Sequence, residues 1–268
     1  MTRVIIAGAT GWVGRALVAA FAKIDDLKLV GAVGRSAAGR DSGEAAGVAR
    51  NGVYIVAGLE EALRIPADVV VDYTKPGVVK SHALAAIAAG RHVVIGTSGL
   101  GAADYAEIEA KAVAQGVGVI AAGNFSITAT LLKKFTLEAA RYVPDVEIID
   151  YASAGKPDTP SGTGRELAEL LSAARQPATS TPVEKLSGIP ATRGAGIKTG
   201  AHPVQVHSLR LPGYVLSVES VFGAPDERLT IRHDAGSSAS PYVAGTLLAI
   251  RKVSGIRGLV RGLEGFIA

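Results

Sequence analysis

The chain has 268 residues, of which 48% are hydrophobic and 19% are charged. This balance excludes a disordered protein and predicts a globular one with one or two domains. Cysteine is absent, which excludes disulfides, thiolate metal sites and a cysteine nucleophile. The five histidines include no pair at His-x-x-x-His spacing, so no metal site is expected. Glycine is abundant, at 33 residues, while reactive side chains are scarce, which predicts a protein whose chemistry comes from a cofactor.

The formal net charge is +4, and the basic residues are scattered along the chain. Scattered charge favours a weak attraction for anionic small molecules over nucleic-acid binding. No apolar stretch approaches the roughly 18 residues of a membrane span, and the N-terminus lacks the pattern of a cleaved signal peptide. We therefore expect a soluble, cytoplasmic protein that binds neither nucleic acid nor membrane.

Short β-branched runs alternate with helical stretches over the first 122 residues. Strands are predicted at residues 3–7, 27–33, 54–56, 69–72, 92–95 and 118–121. Helical patterns lie between several of them, notably at residues 77–89 and 102–115. This alternation predicts an α/β fold with a Rossmann-type, doubly wound parallel sheet.

The pattern changes after residue 123. Helices are predicted at residues 127–141, 162–174 and 241–253, a long loop at 176–200, and strands at 146–151, 204–211, 214–222 and 228–234. Strands without intervening helices are typical of an antiparallel or mixed sheet. The sequence therefore predicts a second, α+β domain.

The run Gly8-Ala-Thr-Gly11-Trp-Val-Gly14 follows the first strand and opens the first helix. Glycines at this spacing allow a tight turn and let backbone amides approach a pyrophosphate at the helix N-terminus. Because strand, loop and helix come in the required order, we predict that these residues bind a nicotinamide dinucleotide. The alternative is a tight turn with a structural role only.

Arg35 follows the second strand, where NAD-binding proteins usually carry an acidic residue for the ribose hydroxyls. An arginine pairs with the 2′-phosphate that an acid would repel. The sequence therefore favours NADPH, with NADH possible if Asp41 or Glu44 folds back to the ribose. In the alternative interpretation, Arg35 is a solvated surface charge.

Two later strand ends also carry polar residues and glycines. Asp72–Pro76 begins where the strand at 69–72 ends, and Gly96–Gly99 follows the strand at 92–95. Loops at the carboxyl ends of parallel strands line the ligand crevice of a doubly wound sheet. We expect Gly96 and Thr97 to approach the nicotinamide half, although either segment alone would fit an ordinary turn.

The segment Lys156–Thr163 is the densest polar motif. Its Pro-Ser-Gly-Thr end introduces a predicted helix, whose free amides and positive dipole end favour a carboxylate or phosphate. Lys156 adds a positive charge or a proton donor. The alternatives are that Ser161 is only an N-cap and that Lys156 is only a surface lysine.

Together these motifs resemble the dihydrodipicolinate reductase family of lysine and diaminopimelate biosynthesis. The resemblance covers essentially the whole chain, and its most specific part is Lys-x-Asp-x-Pro-Ser-Gly-Thr at residues 156–163. It also includes residues 8–14, 71–76, 96–99, 124–126, 193–195, 207–210, 229–234 and 262–264, the last of which is similar to the actinobacterial branch.

The resemblance implies an NAD(P)H-dependent reductase with a dinucleotide-binding domain at residues 1–122 plus 241–268. Residues 123–240 would form a substrate-binding domain that builds a homotetramer, and Lys156 would be the catalytic proton donor. The predicted cofactor-binding residues are Gly8, Ala9, Thr10, Gly11, Trp12, Val13, Gly14, Arg35, Thr74, Gly96, Thr97, Ser98, Ala122, Gly123, Asn124 and Phe125. The predicted substrate-binding residues are Ser153, Ser161, Gly162 and Thr163.

The chain departs from the resembling family at the family's two adjacent histidines, which precede the lysine. One of them is regarded as an acid/base and the other as a substrate contact. Counting back from Lys156, these positions hold Ala152 and Ser153, neither of which serves as a general acid.

Hydride transfer itself needs no protein acid, so the loss of the histidines leaves reductase chemistry available. Our main hypothesis is an NADPH-dependent reductase of a carboxylated imine or enamine, a paralogue with a changed substrate. One alternative is a genuine 4-hydroxy-tetrahydrodipicolinate reductase of lysine biosynthesis. The other, from a different class, is a catalytically inactive dinucleotide-binding sensor or partner subunit.

Overall fold

The computed structural model describes residues 1–267. The chain forms two compact units, one built from Met1–Ile127 with the C-terminal segment that begins at Ala239, and the other from Thr128–Ser238. We call them unit 1 and unit 2. Within the described residues, no helix is long and apolar enough to span a membrane, and no group of three or more acidic or histidine side chains could hold a metal ion.

Unit 1 contains a seven-stranded sheet in which every neighbouring pair is parallel. The strands are β1 (Thr2–Ala7), β2 (Leu27–Val33), β3 (Ile55–Val56), β4 (Val69–Asp72), β5 (His92–Ile95), β6 (Gly118–Ala121) and β12 (Gly258–Arg261), in the order β12-β6-β5-β4-β1-β2-β3. This confirms the predicted doubly wound α/β fold.

Helices cover both faces of this sheet. They are α1 (Trp12–Phe21), α2 (Ser42–Ala46), α3 (Leu59–Ala62), α4 (Pro76–Ala88), α5 (Ala102–Gln115) and α8 (Ser240–Val253). Alternation along β1 divides the core, because Val4 and Ile6 enter one apolar cluster while Ile5 and Ala7 enter the other. The buried part of β1 is covered by apolar side chains on both faces, which explains the continuous apolar run at Val4–Ala7.

Unit 2 contains a five-stranded mixed sheet with two helices. Its elements are α6 (Ile127–Ala139), β7 (Asp145–Ala152), α7 (Gly162–Ala174), β8 (Ala195–Ile197), β9 (Val204–Arg210), β10 (Leu216–Ala224) and β11 (Glu227–Ala235), with strand order β11-β10-β7-β9-β8. β7 pairs parallel with β9 and antiparallel with β10, so the sheet is mixed. Val146 and Ile148 face the core with side chains of α6 and α7.

Candidate active site

The predicted cofactor-binding residues all follow the carboxyl ends of five parallel strands, β1, β2, β4, β5 and β6. In a parallel sheet these ends lie at one edge, where a doubly wound fold binds its ligand. Unit 1 therefore places these segments along one edge of its sheet.

The glycine loop turns the chain from β1 into α1. Gly8 has a φ of +86°, and a Cβ there would lie 2.2 Å from the carbonyl oxygen of Tyr73. A Cβ on Gly14 would lie 2.0 Å from the carbonyl oxygen of Gly8. The first glycine is thus required by the turn, and the third by the close packing of helix on loop.

The first turn of α1 has the features of an anion site. Its N-cap is the exposed Gly11, which has no side chain to occupy the free amides. Gly8 and Ala9 both donate backbone hydrogen bonds to the carbonyl oxygen of Val33, at 3.0 Å each, which anchors the loop to β2. These residues fit the pyrophosphate of a nicotinamide dinucleotide.

Arg35 lies in an exposed single turn of 3₁₀ helix directly after β2. Asp41 and Glu44, the two acids that could bind the ribose of NADH, both interact with other groups. Asp41 is 2% exposed, and its carboxylate accepts hydrogen bonds from the amides of Gly43, Glu44, Asn51 and Gly52. Although burial opposes them, these hydrogen bonds lower the pKa of Asp41. Glu44 pairs with Arg50 at 3.5 Å.

Asp72 connects two of the predicted cofactor loops. It is fully buried at the end of β4, and its Oδ1 accepts hydrogen bonds from the amide and hydroxyl of Thr74 at 3.0 and 2.7 Å and from the hydroxyl of Thr97 at 2.7 Å. Its Oδ2 is 2.8 Å from Nδ1 of His82 on α4. One carboxylate therefore fixes the loops after β4 and β5 relative to each other.

The loop after β6 is held by local contacts. The amide oxygen of Asn124 accepts from the backbone of Ser126 at 2.8 Å. Phe125 is 1% exposed and packs edge-on against Tyr73, with ring centroids 6.0 Å apart. The side chain of Phe125 thus belongs to the core, and its backbone is the part left to contact a cofactor.

In unit 2, Lys156 follows β7 on a short turn. Its ammonium forms an ion pair with Asp158 at 2.8 Å, and both side chains are partly exposed. The hydrogen bond from Lys156 lowers the pKa of Asp158. Lys156 is therefore a cation with one neighbouring carboxylate, accessible to a ligand.

The N-terminus of α7 provides the second part of this site. Ser161 is its N-cap, and its hydroxyl accepts a hydrogen bond from the amide of Gly164 at 3.2 Å. Gly162 and Thr163 occupy the first helical positions, whose amides have no acceptor within the helix. Ser161 therefore caps the helix, which is the alternative role that the sequence suggested for it. In the part of the chain that the structure describes, no side-chain cap occupies the amides of Gly162 and Thr163.

A buried ion pair lies behind the same segment. Asp150 on β7 is fully buried, and its Oδ2 is 2.7 Å from Nη2 of Arg210, at the end of β9. Oδ2 also accepts from the amide of Ser161 at 2.9 Å, and Nη2 donates to the carbonyl oxygen of Asp158 at 2.6 Å. Both partners thus contact the Lys156–Thr163 segment.

Ala152 and Ser153, the positions where the resembling family has histidines, differ in their surroundings. Ala152 is fully buried at the end of β7, whereas Ser153 is exposed. Tyr151 lies on the opposite face of the strand from Ala152 and donates to Glu219 at 2.9 Å. Burial, with this hydrogen bond, raises the pKa of Tyr151 to about 12, so it is a poor substitute acid.

Sequence reasoning missed Asp72 and Arg210 as site residues. Both lie within motifs that it singled out, at 71–76 and 207–210. An acid directly at the end of a buried strand was an available signal for Asp72. Arg210 offered no local signal, because its place beside Ala152 depends on the pairing of β9 with β7.

Comparison with known proteins gives matches over nearly the whole chain. The family model described as dihydrodipicolinate reductase, N-terminus, matches residues 2–125, and that for the C-terminus matches residues 128–266. The 4-hydroxy-tetrahydrodipicolinate reductase of Desulfitobacterium hafniense is 40% identical, over 99% of this chain and 98% of the relative. That of Synechococcus elongatus is 38% identical, over 97% of each chain.

Solved structures agree with these matches. A dipicolinate-bound dihydrodipicolinate reductase from Paenisporosarcina sp. TG-14 superposes with a TM-score of 0.85 at 30% identity, covering 99% of both chains. An amine dehydrogenase from Mycobacterium smegmatis has a TM-score of 0.67 at 14% identity, covering 97% of this chain and 94% of the other. The second likeness shows the fold alone.

Proposed function

Because the chain belongs to the dihydrodipicolinate reductase family and is an NAD(P)H-dependent oxidoreductase, we propose that it reduces 4-hydroxy-tetrahydrodipicolinate, a cyclic imine with two carboxylates. One observation carries the proposal. Unit 2 combines the ammonium of Lys156 with the free amides of Gly162 and Thr163 at the start of α7. Such a site is complementary to a small molecule that presents a carboxylate near a group that gains charge.

The proposed roles follow from this geometry. The nicotinamide dinucleotide, when bound, supplies a hydride to an electrophilic carbon of the substrate. The amides of Gly162 and Thr163 bind a substrate carboxylate, with the helix dipole adding to the attraction. Loss of the 4-hydroxyl group as water gives the conjugated imine that accepts the hydride. Lys156 stabilises the charge that develops on it and donates the proton that balances the hydride. Release from Asp158 would leave the Lys156 ammonium free for this role.

For the cofactor we propose NADPH over NADH. The support is Arg35, exposed directly after β2, together with the engagement of Asp41 by four amides and of Glu44 by Arg50. Both acids have other partners, and the exposed guanidinium directly after β2 is suited to a 2′-phosphate.

A second candidate function is a paralogue with a changed substrate, and one observation favours it. The resembling family's two histidines are replaced by Ala152 and Ser153, which removes an imidazole acid from the end of β7. The named relatives nevertheless match at 40% and 38% identity over the whole chain, and Lys156 and the α7 N-terminus are present. These findings favour the lysine-pathway substrate.

The test is turnover of the purified protein on a panel of cyclic imino acids, each with NADPH and with NADH. We expect oxidation of NADPH with 4-hydroxy-tetrahydrodipicolinate and a higher kcat/KM for it than for any other panel member. Preference for a different imino acid would support the changed-substrate paralogue. Tight NADPH binding without turnover of any member would indicate the inactive sensor and overturn the proposal.

We also propose a homotetramer, assembled through the face of the unit 2 sheet opposite α6 and α7. Ile149 lies near the middle of that face, in register with Glu219 and His207. Light scattering should give four times the chain mass. Ile149→Arg should lower it, because a charge buried in an interface is costly, whereas Leu170→Arg, on the exposed side of α7, should leave it unchanged. A monomeric wild-type protein would contradict this assignment.

A further inference from the structure

The ion pair of Asp150 and Arg210 contacts the backbone of the proposed substrate segment at two points. Arg210 donates to the carbonyl oxygen of Asp158 at 2.6 Å. Asp150 accepts from the amide of Ser161 at 2.9 Å. The two contacts lie on either side of Thr159 and Pro160, so the pair fixes the chain both before and after that dipeptide.

These contacts determine where the two halves of the site lie. Asp158, anchored through its carbonyl, carries the carboxylate that pairs with Lys156 at 2.8 Å. Ser161, anchored through its amide, caps α7 and directly precedes the free amide of Gly162. Movement at either anchor would change the distance between the ammonium and the amides that are proposed to bind one substrate.

A contribution to folding stability does not by itself explain why Asp150 and Arg210 form a buried ion pair. Removing two charges from water is costly, and well-packed apolar residues of similar volume are often as stable or more so. Here the pair is also imperfectly satisfied, since Oδ1 of Asp150 and Nε of Arg210 are buried without a hydrogen-bond partner within residues 1–267. An apolar pair would avoid those costs but would not hold Asp158 and Ser161.

We propose that Asp150 and Arg210 are positioning residues that set the spacing between Lys156 and the α7 N-terminus, and that affinity for a dicarboxylate depends on them. The inference rests on the proposed function of that segment as the substrate site. Neither residue is assigned contact with substrate, and each acts through the backbone that it holds.

The primary test is Arg210→Lys. Lysine keeps the charge beside Asp150, but its side chain is one bond shorter and lacks the nitrogen Nη1 that donates to the carbonyl oxygens of Asp150 and Leu209. The contact with Asp158 should therefore be lost. We expect the Kd for pyridine-2,6-dicarboxylate, measured by calorimetry, to rise about tenfold or more, the equivalent of one lost charge-assisted hydrogen bond. KM for the imine substrate should rise in parallel, with a smaller change in kcat.

Two further readouts separate positioning from general stability. Dinucleotide Kd, measured through the fluorescence of Trp12, the single tryptophan and 57% exposed, should not change in Arg210→Lys. Asp150→Asn is the second variant, because it keeps the side-chain shape while weakening the ion pair, and it should also raise the dicarboxylate Kd. The control is Arg141→Lys, an exposed residue paired with Glu138, which should behave as wild type.

The outcomes distinguish this inference from the proposed function. If the wild-type protein binds the dicarboxylate and both variants bind it more weakly, the inference is supported even if no imine is turned over. Turnover with unchanged Kd and KM in folded Arg210→Lys would overturn it and leave the proposed function standing. Absence of wild-type dicarboxylate binding, or unfolding of both variants, would also overturn it.

Discussion

At the residue scale, Lys156 is the side chain on which the proposed proton chemistry depends. It is partly exposed, with Asp158 as its ion-pair partner, and the neighbouring positions 152 and 153 offer no acid. Lys156→Ala should therefore lower kcat by about 10²-fold or more, the usual contribution of a general acid. Steady-state kinetics would measure this.

The matched control is Lys185→Ala, which removes an exposed lysine of the same unit outside the motif. It should retain wild-type kcat. An unchanged kcat in Lys156→Ala would remove this lysine from the mechanism. Thermal unfolding of both variants would show that any loss is not a loss of fold.

Arg35 is the residue that determines the proposed cofactor preference. Arg35→Asp replaces a guanidinium by a carboxylate that repels a 2′-phosphate, so the Kd for NADPH should rise about tenfold or more relative to that for NADH. Quenching of Trp12 fluorescence by each dinucleotide would give both constants. Arg64→Asp, also exposed in unit 1, is the charge-matched control. Equal effects on both cofactors would mean that the 2′-phosphate is bound elsewhere.

At the scale of elements, local sequence patterns predicted the strands that are buried and regular. β2 spans Leu27–Val33 and α7 spans Gly162–Ala174, as predicted, because an apolar run and a Ser161 cap are local signals. β12 was missed because it has four residues and forms only by pairing with β6, more than a hundred residues earlier in the chain. β8 was missed because it has only three residues, lies inside the predicted long loop at 176–200, and forms by pairing with the neighbouring β9.

Some parts of the candidate site could likewise be predicted from the sequence, whereas others depend on strand pairing. The glycine loop and the Pro-Ser-Gly-Thr motif are continuous in sequence and could be found there. The roles of Asp72 and Arg210 arise from strand pairing, since β4 lies beside β5 and β7 beside β9. Long-range register is not encoded in any local pattern, so these two residues became visible only in the structure.

Asp72 yields a prediction about the elements that it joins. Asp72→Asn keeps the size of the side chain but gives up one of the acceptors used by Thr74, Thr97 and His82. Loss of one buried hydrogen bond to a charged group should loosen the loops after β4 and β5 and raise dinucleotide Kd about tenfold. The control is Asp68→Asn, an exposed partner of Arg3. A Kd equal to wild type would show that the carboxylate has no part in shaping the cofactor site.

At the scale of the whole molecule, the pKa values of two histidines predict how the stability of the fold depends on pH. Burial lowers the pKa of His92 in unit 1 and of His233 in unit 2. Nδ1 of His92 must also be unprotonated, because it accepts a hydrogen bond from the amide of Gly118 at 2.9 Å. Each unit therefore contains one imidazole that resists protonation when folded.

The direction of the effect follows from proton linkage. Below pH about 6.5 the unfolded chain binds protons at these histidines that the folded chain does not, so stability falls as the pH decreases. We expect the Tm to be flat from pH 8 to about 7 and to drop by a few degrees toward pH 5. Asn at position 92 offers an amide oxygen to Gly118 and does not titrate. His92→Asn should therefore keep the wild-type Tm near pH 8 and show a shallower drop toward pH 5 by calorimetry, whereas an equal drop would assign the acid sensitivity to other groups.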